Sequence, residues 1–100
     1  MGWRIIKQPN GFYARFSEIV DEFTDWNMTE QEAFELCSDL AGVKIAETKM
    51  YNANNNIDPY TMGSNFDRFE HAIDVIRCVH GSALAKERKD ELSRMPSGAN

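Results

Sequence analysis

The stretch "WRIIKQPNGFYARF" constrains the fold of this chain most, because it sets a turn sequence between two apolar runs. Pro9 presets the φ angle of the first corner of a type I turn, and Gly11 can take the left-handed conformation that completes a three-residue loop. The sequence therefore predicts an N-terminal β-hairpin with a fixed register. The residues that this register sets opposite each other are Gln8 and Phe12, Ile6 and Ala14, and Arg4 and Phe16.

The predicted hairpin has two unlike faces, because successive side chains of a strand point to opposite sides. One face carries Ile6, Phe12, Ala14 and Phe16, and the other carries Trp3, Ile5, Lys7, Tyr13 and Arg15. A lone hairpin is marginal in water, so helices must cover it. The second face has the aromatic and basic composition of protein interfaces. Either another part of the chain covers this face, or it is open and serves partner binding or self-association.

A helix is predicted over residues 17–26, "SEIVDEFTDW". Ser17 is suited to cap its N-terminus. The apolar side chains repeat at helical spacing and would share one face; they are Phe16, Ile19, Val20 and Phe23. The acidic side chains would gather on the opposite face; they are Glu18, Asp21, Glu22 and Asp25.

A second helix is predicted over residues 29–41. Thr29 and Glu32 have the spacing of a capping box, and Gly42 is suited to end the helix. The side chains expected to be buried are Ala33, Cys37, Leu40 and Ala41. The side chains expected on the outer face are Glu32, Glu35 and Asp39.

The second half of the chain is predicted to be mainly helical. Residues 43–53 fit a short strand, but the spacing of Ala46, Met50 and Ala53 favours a helix. A surface loop follows over residues 54–65. The last long helix is expected to be capped by Ser64 or Asn65, with an apolar stripe of Phe66, Phe69, Ile73, Ile76 and Val79. Gly81 interrupts it, "SALAKERKDEL" continues as a polar helix, and residues 96–100 are expected to fray.

The length of 100 residues suits one hydrophobic core. We therefore predict a single α+β domain over residues 1–95, in which the N-terminal hairpin packs against three or four helices. The N-terminus lacks the apolar segment of a secretory signal, and no apolar run is long enough to span a membrane. These features predict a cytoplasmic protein with no membrane partner.

No residue pattern predicts catalysis, a cofactor or a metal site. Cys78 and His80 are two positions apart, which points them about 200° apart on a helix. His71 and Cys78 share a face, but two ligands do not make a zinc site. Cys37 and Cys78 both lie among apolar residues, so both thiols are expected to be buried. Glycine-rich phosphate loops are absent from the sequence. We therefore predict a protein that is not an enzyme.

The run from Phe16 to Val43 holds eight of the sixteen acidic residues and no Lys or Arg. Acids suit the first turns of helices, so a solvated helix surface is one interpretation. Ordinary helix surfaces mix signs, however, and like charges four residues apart repel. A surface for a basic protein partner is the other interpretation. The residues predicted to bind it are Glu18, Asp21, Glu22, Asp25, Glu32, Glu35 and Asp39. The net charge of −5 argues against direct binding to nucleic acid.

The opening "GWRIIKQPNGFYARFSEIVDEFTDW" resembles the start of small proteins carried by bacteriophages and prophages. Many proteins of this size and origin with an assigned role are counter-defence factors such as anti-CRISPR proteins, which commonly cover the nucleic-acid surface of a host defence complex. By this analogy, the chain would inhibit a nucleic-acid-guided nuclease or another basic complex in the bacterial cytoplasm. The alternative is a phage housekeeping or assembly protein that forms a homo-oligomer, such as a dimer, through the face of Trp3 and Tyr13.

Overall fold

The N-terminal sequence forms a three-stranded antiparallel sheet, and helices follow it, in a computed structural model that describes residues 2–56 and 67–96. The strands are β1 (Trp3–Lys7), β2 (Tyr13–Ser17) and β3 (Glu22–Met28), in the order β1-β2-β3. The helices are α1 (Glu30–Ala41), α2 (Val43–Asn54), α3 (Arg68–His80) and α4 (Ser82–Ser93). The predicted α+β class is confirmed.

The hairpin of β1 and β2 has the predicted register. Ile6 lies opposite Ala14, and Arg4 lies opposite Phe16. The backbone N–H of Gln8 donates to the carbonyl of Phe12 at 2.8 Å and closes the loop. The turn residues Pro9 and Gly11 therefore predicted correctly which side chains of β1 and β2 share a face.

The helix predicted over residues 17–26 is wrong, because this segment is a turn followed by β3. Phe23 lies opposite Phe16 in the sheet, and their rings meet edge to face with centroids 5.3 Å apart. Ile19 and Val20, which the helix would have buried, lie in the turn and are 82% and 50% exposed. In the sheet both phenylalanines reach the core.

The helices α1 and α2 cover one face of the sheet and settle the question left open for the aromatic face. The buried residues of this layer are Ile5, Tyr13, Ala33, Cys37, Ala46, Met50 and Ala53. Trp3 is half-buried, with Lys49 Nζ 4.2 Å and Arg15 Cζ 5.4 Å from its ring centre. Residues 43–53 are helical, as favoured. The face of Trp3 and Tyr13 is therefore packed inside this protein.

The helices α3 and α4 cover the other face. The buried residues of this layer are Ile6, Ala14, Phe16, Phe23, Phe69, Ala72, Ile73, Ile76, Ala85 and Leu92. Asp67 caps α3 by accepting from the backbone N–H groups of Phe69 and Glu70. The predicted caps Ser64 and Asn65 lie outside the described residues, as do Phe66, most of the predicted loop and residues 97–100.

Besides Ile19 and Val20, three further residues that were predicted to be buried are exposed. Leu40 is 49% exposed and Val79 is 54% exposed, because each lies at the end of its helix, where that helix turns into the next one. Cys78 is also exposed, on the outer side of α3. The buried stripe of α3 therefore ends at Ile76.

A buried amide network holds the end of α4 against the sheet. The side chain of Gln8 is the centre of this network, and the residue is only 3% exposed. Gln8 Nε2 lies 3.2 Å from the carbonyl of Leu92 and 2.9 Å from Asn27 Oδ1. Gln8 Oε1 accepts from the backbone N–H of Asn27 at 2.7 Å. One side chain thus joins β1, β3 and α4, and its polar atoms are satisfied as burial requires.

Two glycine corners connect the paired helices, and they have nearly the same backbone geometry. Gly42 has φ 92° and ψ 162°, and Gly81 has φ 103° and ψ 165°. Each N–H donates back into the preceding helix, to Ser38 and Arg77 respectively. These dihedral angles lie in a region that is essentially restricted to glycine.

We expect Gly42→Ala and Gly81→Ala each to lower the free energy of unfolding by about 1–3 kcal/mol, because alanine is strained at these φ angles. A Cβ atom at either position would have no heavy atom within 4 Å, so steric clash would not contribute. Urea denaturation measures the effect, with Ser82→Ala as the control on an ordinary helical backbone. Unchanged stability in both glycine variants would show that the corners relax without cost.

The Tyr13 hydroxyl lies 2.9 Å from Glu30 Oε2 and beside Asn54, so it joins the start of α1 to the end of α2. Burial, helped by the Glu30 carboxylate, raises the pKa of Tyr13 from 10.0 to about 12. Since the folded pKa is the higher one, its contribution to stability is complete below pH 10 and is lost as the pH rises through 12.

We therefore expect the native protein to lose about 1–3 kcal/mol more than the Tyr13→Phe variant between pH 9 and pH 12. Burial also raises the pKa of Cys37 and lowers the pKa of Lys49, and these two groups have opposite effects on stability in alkali. Both are present in either protein, so the difference between the two denaturation series reports Tyr13. If both proteins lost the same free energy of unfolding between pH 9 and pH 12, the loss could not be attributed to Tyr13.

Candidate partner-binding surface

The seven predicted binding residues do not form one helical surface. Glu18 and Asp21 lie at the turn between β2 and β3, whereas Glu22 and Asp25 lie on β3 itself. The other three, Glu32, Glu35 and Asp39, lie on α1 as predicted. The expectation of an acidic face spanning two successive helices is therefore wrong for its first half.

Three acids of the first group form salt bridges with arginines that are distant in sequence. Such pairing occupies the carboxylates and ties separate elements together. The pairs are Glu18 with Arg4 at 2.9 Å, Glu22 with Arg88 at 3.0 Å, and Asp25 with Arg15 at 3.7 Å. These pairs could not be predicted from the acidic run, because all three arginines lie outside it.

The pair of Glu22 and Arg88 is the most enclosed of the three. Its side chains are 17% and 18% exposed, and it joins β3 to α4. Arg88 Cζ also lies 4.9 Å from the ring centre of Trp26, where a guanidinium gains a cation–π interaction. Glu22 is therefore part of the packing between the sheet and α4, and it is a poor candidate for binding a partner.

The α1 stripe, which we define as Glu32, Glu35 and Asp39, has the opposite character. All three residues are exposed, and they lie on the side of α1 away from the buried Ala33 and Cys37. The helix contains no Lys or Arg. Within residues 2–56 and 67–96, no salt bridge involves any of the three. Among the described residues, the α1 stripe is therefore a row of carboxylates without a salt-bridge partner.

The first carboxylate of the stripe is held in place by the predicted capping box. The backbone N–H of Thr29 donates to Glu32 Oε1 at 3.0 Å, and the backbone N–H of Glu32 donates to Thr29 Oγ1 at 3.1 Å. Hydrogen bonding from Thr29 lowers the pKa of Glu32. Glu35 accepts from Gln31 Nε2 at 2.9 Å. Two of the three charges thus have fixed positions.

Asp21 is the remaining acid. It has φ 53°, an uncommon value for a residue other than glycine, and within residues 2–56 and 67–96 it forms no salt bridge. It lines a cavity of about 290 Å³ together with Arg4, Glu18 and Arg68. Because this lining mixes both signs of charge, the cavity does not select one sign of ligand.

The thiol of Cys37 and the metal-ligating side chains of the described residues were the other candidates for chemistry. Cys37 is buried, and burial raises the pKa of its thiol, which disfavours the reactive thiolate. In residues 2–56 and 67–96 no three His, Cys, Asp or Glu side chains come together as a metal site would require. Over the same residues, none of the helices has both the length and the apolar character needed to cross a bilayer.

No protein-family model, curated protein or solved structure matches this chain. The candidate surface therefore rests on the geometry and charge of its own residues. Among the seven predicted acids, those of the α1 stripe and Asp21 remain available to a partner.

Substituting an acid that forms an enclosed salt bridge should affect stability more than substituting an exposed acid of the α1 stripe. Glu22→Gln should lower the free energy of unfolding by about 1–3 kcal/mol, because it leaves the enclosed Arg88 without its closest carboxylate. Glu35→Gln should change it by less than about 0.5 kcal/mol, because that side chain is exposed. Urea denaturation at pH 7 provides both values. Equal losses would contradict the division.

Proposed function

We propose that this chain is a non-enzymatic, phage-encoded inhibitor that docks on a basic nucleic-acid-binding surface of a host defence nuclease complex. The observation that carries the proposal is the α1 stripe, an exposed row of carboxylates on a helix without any Lys or Arg. Helices on ordinary surfaces mix the two signs of charge, because opposite charges on neighbouring turns stabilise them. A uniform row favours a partner that supplies the cations.

The chemistry of the partner follows from the sign of this surface. Surfaces that bind nucleic acid are basic, because Lys and Arg must displace the counterions of the phosphates. A protein with net charge −5 is repelled by nucleic acid but attracted to such a surface. Complementary charge speeds and orients the encounter. Occupation of the groove would then exclude the nucleic acid that the complex must bind.

The resemblance of residues 2–25 to phage and prophage proteins supports the choice of a defence complex as the partner. The alternative, self-association through Trp3 and Tyr13, is less well supported. Tyr13 is only 4% exposed, and Trp3 lies between Lys49 and Arg15 under the helices. A dimer through that face would require α1 and α2 to leave the sheet.

The proposal is tested on purified RNA-guided nuclease complexes of several types, by measuring their binding to labelled target DNA with increasing amounts of this protein. We expect inhibition of at least one complex. The variant Glu35→Lys/Asp39→Lys should then inhibit at least tenfold less well, because it reverses two charges of the α1 stripe. Glu32 is left unchanged since it caps α1.

The matched control is Asp74→Lys/Glu87→Lys, which changes the net charge by the same amount on the exposed sides of α3 and α4. It should inhibit nearly as well as the native protein. Inhibition should also weaken as the salt concentration rises, because exposed charges are screened. No inhibition of any complex, or equal loss in both variants, would contradict the proposal.

A further inference from the structure

Among the described residues, five large apolar side chains near the helix corners and the turn between β2 and β3 are at least 49% exposed. They are Ile19 (82% exposed), Val20 (50%), Leu40 (49%), Val43 (54%) and Val79 (54%). Single exposed apolar residues are ordinary, but a group of them commonly marks a site of protein interaction. Whether these side chains form a group depends on where the three segments lie.

The corner between α1 and α2 lies at the same end of the sheet as the β2–β3 turn. Tyr13, the first residue of β2, contacts Glu30 at the start of α1 and Asn54 at the end of α2. Twelve helical residues span about 18 Å, so the corner is displaced by that length from Tyr13. Lys49 Nζ donates to the carbonyl of Trp3, and Trp3 lies opposite Ser17 at the far end of β2. The helix α2 therefore runs from the β2–β3 turn end of the sheet toward Tyr13, and the corner lies at the turn end. Leu40 and Val43 therefore lie at the end that carries Ile19 and Val20.

The end of α3 lies there as well. His80 Nε2 is 2.9 Å from the carbonyl oxygen of Val20, and Val79 precedes His80. Three connections of the chain thus meet at one end of the molecule. We call this region the apolar end and define it as Ile19, Val20, Leu40, Val43 and Val79.

The charges around the apolar end indicate what can cover it. Asp21 directly follows Val20, and Asp39 directly precedes Leu40. Within the described residues neither aspartate forms a salt bridge. The other nearby acid, Glu18, is paired with Arg4. The nearby cations are Lys44 and Arg77, which is paired with Asp74. Among the described residues, two carboxylates outside any salt bridge thus flank the apolar side chains, against Lys44 as a nearby cation that is also outside one.

We infer that the apolar end docks against an apolar surface flanked by Lys or Arg on the partner protein, with Ile19 and Leu40 contacting the apolar surface and Asp21 and Asp39 meeting the basic rim. This inference deepens the proposed function and takes from it only that the partner is a basic protein. A second copy of the chain is a poorer fit, because it would bring the same two carboxylates against each other. Asp39 belongs to the α1 stripe as well, so the two surfaces are continuous.

The inference is tested with fluorescein-labelled synthetic helical peptides whose binding is followed by fluorescence anisotropy. The first peptide has a leucine face and a lysine face, the second has lysine and serine at the same net charge, and the third has leucine and glutamate. The native protein should bind the first at least tenfold more tightly than the second or the third. Ile19→Ser/Leu40→Ser should lose at least tenfold in affinity for the first peptide.

The matched control is Tyr51→Ser/Met95→Ser, which removes two large apolar side chains, each 62% exposed, outside the apolar end. It should bind the first peptide like the native protein, and circular dichroism checks that all variants fold. Equal binding of the lysine–serine peptide would overturn the role of the apolar side chains. Equal binding of the leucine–glutamate peptide would overturn the basic rim, and a dimer in sedimentation that is lost in Ile19→Ser/Leu40→Ser would make a second copy the occupant.

The two proposals fail separately. Inhibition of a nuclease complex that Glu35→Lys/Asp39→Lys loses but Ile19→Ser/Leu40→Ser retains would support the proposed function and overturn the inference. Selective binding of the leucine–lysine peptide without inhibition of any complex would support the apolar end and contradict the proposed function.

Discussion

The fold depends on a sheet that must be buried on both faces. Ile5 and Ile6 are neighbours in β1 and point to opposite sides, yet they are 0% and 1% exposed. Tyr13 and Ala14 repeat this arrangement in β2. One layer of helices could shield only one side, so the chain needs two. The pairs α1–α2 and α3–α4 supply them and divide the interior into two separate cores.

This two-sided burial also explains the distribution of charge. Arginines on the sheet and on α4 hold Glu18, Glu22 and Asp25 at the edges of the packed layers, where the pairs join separate elements. The α1 stripe lies beyond their reach, on the outside of one helical layer. The acidic run in the sequence therefore contains two populations with different roles, one joining structural elements and one facing solvent.

The sequence predicted the parts of the fold that local chemistry determines. The turn of Pro9 and Gly11 determined the hairpin register, and Thr29 with Glu32 determined the start of α1. It failed over residues 17–26, because the spacing of Phe16 and Phe23 satisfies a helix and also a cross-strand pair. Only contact with distant α3, where Phe23 stacks on Phe69, favours the strand.

The candidate site was likewise predictable only where local sequence determines the structure. Glu35 and Asp39 lie on α1, and the spacing of its apolar residues already predicts which side of this helix is buried and which is exposed. The partners of Glu22 and Glu18 are 66 and 14 residues away, and no local pattern reveals them. Ile19 and Leu40 were assigned to buried faces on spacing alone. The signal that could have placed them outside was their position beside Asp21 and Gly42, which favour turns.

The position of Gly2 has a practical consequence. Its backbone passes so close to Ile19 that a Cβ atom would lie 2.9 Å from Ile19 Cγ1, and Gly2 therefore borders the apolar end. The end of α4 lies at the other end of the molecule, where Asn10 Nδ2 donates to the carbonyl of Arg94 at 2.9 Å. A carrier or label joined before Gly2 would crowd the apolar end, whereas one joined after α4 would leave it open. Immobilisation through the C-terminal side is the orientation that presents this end to a partner.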